Sequence, residues 1–233
     1  MLENVYFKYR GRDSRDMGIE ASDFFEVGEA VPNVESYEVP GRSGSLTYWD
    51  GTYANRPITA PSYLLAESLP RDIDKINEWL LSAQSYDRLE LSSDPDHFWL
   101  ARATRGISEQ VRADVLNPFA VEFEALPQKY LKTGSKEYEA GTRIYNPTKF
   151  DALPIWKITA EGDVTITVSG RTVTVTGLVG EIILDTETGF ATMDGESVGA
   201  SVEFTEDLIL RPGSNEVSIE GGTLRFIPRW WTL

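Results

Sequence analysis

The sequence predicts a mainly β chain: an N-terminal α+β half holding a β-sandwich, one helix and an extended hairpin, then a C-terminal β-sandwich. Three observations carry this. Apolar residues recur at three- and four-residue spacing over one long stretch, "RDIDKINEWLLSA". Elsewhere the apolar residues fall in short alternating runs bounded by Gly, Pro, Asn and Asp, which is the strand pattern. After residue 146 such runs follow one another at regular short spacing, as in a two-sheet sandwich of about ninety residues.

Taken in order, "NVYFKY" and "SYEVP" read as strands. Leu46–Trp49 and Thr52–Asn55 flank Asp50-Gly51, the strongest two-residue hairpin signal, so Tyr48, Trp49 and Tyr53 are expected around an exposed turn. "RPITAPSYLLA" is extended and punctuated by proline. Ile73, Ile76, Trp79, Leu80 and Ala83 then make one apolar helix face, with Asp72 and Asp74 near the positive end of its dipole. "DRLELSS", "HFWLARATRGI" and "FAVEFEAL" return to strands; in the last, Phe119, Val121, Phe123 and Ala125 point one way and Glu122 and Glu124 the other. The polar, glycine-bearing stretch at 130–150 divides domains spanning 1–140 and 146–233. Beyond it, Val164, Ile166 and Val168 alternate with threonines, turn at Ser169-Gly170, and return through Val173 and Val175. "EIILD", "GFATMDG", "SVEFT", "NEVSIEG" and "TLRFIPRWWTL" read as further short strands.

Composition narrows the function. The chain has 233 residues, 41% hydrophobic and 25% charged, enough to bury a core. Its net charge of −15, spread over both halves, repels phosphate, so an electrostatic nucleic-acid groove is not expected. No apolar run approaches the roughly 20 residues of a membrane span. "MLENVYFKYRGRDSRD" lacks the apolar core of a signal peptide, and there is no cysteine, so synthesis in a cytoplasm with no need of a redox compartment is expected.

Catalytic signals are sparse. "GRSGS" is one residue out of register with a G-x-S-x-G elbow and lies between strands, so Ser43 reads as a loop serine. His97 is the sole histidine; with Asp94 and Asp96 it has metal-capable ligands, but on one turn with no partner elsewhere. The glycines lie in turns, so no phosphate loop is formed. No catalytic residue, cofactor or metal is expected, and the chain reads as a non-enzyme. Two other classes stay open. A sandwich with an outward Trp230 or Trp231 could stack a sugar. A structural assembly protein needs no catalytic constellation and uses aromatic hairpins as subunit contacts.

"VPGRSGSLTYWDGTYANRPI", "FDALPIWKI", "ILDTETG", "LRPGSNEVSIEG" and the terminal "IPRWWTL" together resemble, in order and over most of the chain, the distal tail proteins of long-tailed, non-contractile bacteriophages. The resemblance implies a virion protein of the tail tip. It implies a homo-hexameric ring built by the first domain, with a galectin-like second domain at the periphery. The ring would join the tail tube protein to the baseplate or tail-associated fibre or lysin protein, near the tape measure protein, with DNA passing through unbound and no membrane contact. Tyr48, Trp49 and Tyr53 then become candidate subunit contacts. A carbohydrate-binding module for host adhesion is the alternative.

Overall fold

The computed structural model describes residues 5–21, 24–64, 72–82, 85–107, 118–141, 143–193, 195–197 and 208–233. The "SVEFT" strand and Ala83 fall outside them. The fold is mainly β, with one α-helix among the described residues, and the chain divides into two compact units, Met1–Lys129 with Leu233, and Tyr130–Thr232.

The first unit holds β1 (Phe7–Tyr9), β2 (Arg12–Asp13), β3 (Ile19–Ala21), β4 (Glu26–Val27), β5 (Pro32–Glu38) and β6 (Ser45–Tyr53). β7 (Arg56–Leu64), α1 (Asp72–Leu81), β8 (Asp87–Leu91), β9 (His97–Arg105) and β10 (Pro118–Leu131) follow. Its main sheet runs β2-β1-β8-β9-β10-β7-β3, with β4 also on β7. β7 and β10 are antiparallel from Tyr63↔Pro118 to Arg56↔Ala125. Alternation sets the faces as the sequence predicts: Val121, Phe123 and Ala125 are buried while Glu122 and Glu124 look outward. The helix lies where its spacing places it. Ile73, Ile76, Trp79 and Leu80 enter the core, Trp79 stacks on Phe7 at 6.0 Å, and its indole N–H donates to the Tyr9 carbonyl at 3.2 Å. Asn77 ties the helix to the end of β9 by bonding both the carbonyl (3.0 Å) and the N–H (2.7 Å) of Ile107.

The second unit contains β11 (Tyr138–Glu139), β12 (Arg143–Asn146), β13 (Ile155–Val168), β14 (Arg171–Asp185), β15 (Phe190–Met193), β16 (Glu196–Ser197) and β17 (Gly213–Ile227). The order is β11-β17-β13-β14-β15-β16, with β12 also on β17. The Ser169-Gly170 turn forms as expected, both residues at positive φ (48° and 84°). Trp156, Ile158, Ile166, Leu184, Phe226 and Trp230 fill the core, and the Trp156 indole donates to the Leu208 carbonyl at 3.1 Å.

The strand count differs from the sequence reading. "EIILD" is the end of β14, and "NEVSIEG" and "TLRFI" are one strand, β17. Three strands of 14, 15 and 15 residues replace the expected run of short ones. Gly162, Gly180 and Gly221, which read as strand ends, lie inside β13, β14 and β17. The β13–β14 register shifts between Gly162 and Val164, and β13–β17 shifts between Ala160 and Thr165. At that bend Gly221 has φ 88°, and a Cβ there would lie 2.2 Å from the Asp163 carbonyl oxygen.

Candidate assembly surface

β5 and β6 form a two-stranded sheet of their own. Every residue of β5 is exposed, as is every residue of β6 except Tyr53. The hairpin is therefore an arm. It does not turn at Asp50-Gly51, as the sequence predicts. Arg42 N–H donates to the Val39 carbonyl at 3.1 Å across Pro40-Gly41, with Gly41 at φ 81°, a type II turn followed by Gly44.

Asp50-Gly51 instead lies within β6. Pro32 pairs with Tyr53 and Val34 with Trp49, so Asp50, Gly51 and Thr52 together face the single residue Asn33. The Asp50 carboxylate accepts bonds from the Thr52 N–H (2.8 Å) and hydroxyl (2.7 Å), while Gly51 takes φ 88°. These bonds hold the Asp50 carboxyl below the usual carboxylate range. The chemistry that signals a hairpin, an aspartate bonding two residues ahead and a glycine at positive φ, makes a bulge here.

The three sequence-predicted contact residues divide between two faces. Trp49 and Tyr53 share one with Val34: their rings meet edge to face at 5.5 Å, and the Trp49 indole donates to the Thr52 carbonyl at 2.9 Å. Tyr48 points the other way, beside Leu46 and Tyr37, because neighbouring strand residues alternate. Tyr48 is 60% exposed, Trp49 49% and Tyr37 53%. Tyr37, Leu46 and Val34 complete these apolar faces. The sequence reading missed them; alternation counted from Pro40-Gly41 would have found them.

The root of the arm is fixed to the main sheet. Ala54 N–H donates to the Val31 carbonyl and Gly28 N–H to the Pro57 carbonyl, both at 2.8 Å. Asn55 donates to Glu124 (2.9 Å) and to the Tyr86 hydroxyl (2.7 Å), and that hydroxyl donates to Glu124 at 2.5 Å. Bonds from Tyr86, then Arg102 and Asn55, hold the Glu124 carboxyl low. Buried Arg56 donates to the Pro127 carbonyl, and burial lowers its pKa. Beside this root an open cleft of about 330 Å³ is lined by Asn55, Pro57, Thr104, Glu122, Phe123 and Glu124, among others.

The remaining candidates are occupied or placed apart. Ser43 lies in the arm's tip loop. The Asp94 carboxylate contacts His97 Nδ1 at 2.6 Å and Lys129 Nζ at 3.0 Å. Partial burial raises the Asp94 pKa, but these two partners outweigh it and bring the net shift below the ordinary value. Trp230 is buried; Trp231 is half-buried, stacks on Phe150 at 4.3 Å and donates its indole N–H to the Asp151 carbonyl at 2.9 Å.

A solved structure matches this chain nearly end to end. It is the Dit protein (gp 19.1) of phage SPP1, described as a paradigm of the hub adsorption apparatus in phages that infect Gram-positive bacteria. The TM-score is 0.66 at 14% identity, covering 96% of this chain and 98% of that one. The two chains share a fold. No protein-family model matches the sequence, and no curated protein does.

Proposed function

We propose that this chain is a structural component of a bacteriophage tail tip. Six copies close into a hub ring that joins the tail tube to the baseplate or tail fibre and lets DNA through. The observation that carries this reading is a fold shared over almost the whole length with a phage hub protein. The arm supplies a means of assembly. A ring built from repeated head-to-tail contacts needs two different complementary patches per chain. A projecting hairpin with half-exposed Tyr and Trp side chains is one such patch, of the residue types interfaces favour. The tail tube, tape measure and fibre or lysin proteins are the partners this placement implies. Six copies carry about −90, so acidic walls let DNA slide past without adhering.

Truncating Trp49 to Ala tests the reading. An interface anchor of this kind is worth about 2 kcal/mol or more, so each contact should weaken about thirtyfold. The unfolding midpoint should hold, because the side chain lies outside the core. Light scattering and denaturant unfolding on the same variant read both. An unchanged assembly with a much lowered midpoint would contradict the proposal.

A further inference from the structure

We infer that the tip of each arm seats in the root cleft of the next copy in the ring; the inference rests on the assembly proposed above. The first argument is reach. β6 has nine residues, about 30 Å at strand rise. A unit of this size has a radius of gyration of about 14 Å, hence a width of about 36 Å. Successive arm roots in a closed ring stand about one unit width apart. An arm that crosses its neighbour therefore ends near the neighbour's own root, where the cleft lies.

The second argument is chemistry. Arg42 is the only basic residue between Val31 and Ala54, stands at the tip, and has no ion-pair partner among the described residues. In the cleft, Glu124 is committed to Tyr86, Asn55 and Arg102. Glu122 is not: its partner Arg105 stands 3.6 Å away with a side chain 69% exposed. A guanidinium arriving at Glu122 can take a closer, two-pronged contact than Arg105 makes. Val39 and Pro40 at the tip bring apolar surface to the Pro57 and Phe123 walls. The occupant is thus the Val39–Gly44 loop of a second copy of this chain.

The chain has no cysteine, so a designed pair reports on this contact alone. Ser43→Cys and Thr104→Cys together, under mild oxidation of the full-length protein, should give a ladder of covalent multimers up to six on non-reducing gels. Each single variant should stay monomeric. In parallel, Arg42→Glu or Glu122→Arg should each weaken assembly at least severalfold, and the two together should restore it. A double-cysteine chain that stays a monomer, or single variants that dimerise, would overturn the inference. So would charge reversals that do not rescue each other. If Trp49→Ala breaks the ring while no ladder forms, tip docking falls and the assembly arm stands. If the ladder forms while Trp49→Ala leaves the ring intact, Trp49 is not the anchor and the tip contact stands.

Discussion

Asp50 decides whether Trp49 and Tyr53 meet. Its carboxylate closes the bulge through both hydrogen-bonding groups of Thr52, and that closure keeps the two rings on one face at 5.5 Å. Replacing Asp50 with Ala should open the bulge and speed amide exchange at Thr52. Asn, whose side-chain oxygen also accepts, should preserve it. Equal exchange in both variants would show that Gly51 alone sets the bend. Core-facing residues such as Val121, Phe123 and Ile166 are legible because burial imposes a fixed period. The Asp50-Gly51 pair forms a bulge and not the expected turn because one local geometry serves both. Which one forms depends on where the partner strand lies, and that is non-local.

A two-stranded hairpin alone is marginal in water, so the arm should gain order on assembly. The long strands of the second unit carry the opposite lesson. Their glycines looked like ends of strands, yet β13, β14 and β17 run through them and bend. The sequence shows where regular pleating breaks; it does not show whether the chain reverses or continues. Gly221→Ala tests the bend, since its Cβ would collide with the Asp163 carbonyl and its φ is positive. The change should cost more than about 1 kcal/mol, seen as a lowered denaturant midpoint. An unchanged midpoint would mean that the bend adjusts freely.

Across the whole molecule, acid should act through a few carboxylates. Glu124 and Asp94 both titrate below their ordinary values. A carboxylate depressed on folding contributes stability that is complete above its unfolded pKa, about 4, and is lost as pH falls through the folded value. The unfolding midpoint should stay nearly level from about pH 7 to 5 and fall below about 4. Glu124→Gln should reduce that fall; an identical acid limb in the variant would remove Glu124 from the account. At this scale the mainly β class and the single helix were legible, because periodicity reports them directly. The arm's pairing was not, because which segment lies against β6 is a non-local choice that the Asp50-Gly51 signal does not encode. The central claim, that copies of this chain close into a ring, is tested most directly by the mass of the purified full-length protein in solution. Size-exclusion chromatography with light scattering should return six times the 26.1 kDa chain mass. A single-chain mass at every concentration measured would contradict it.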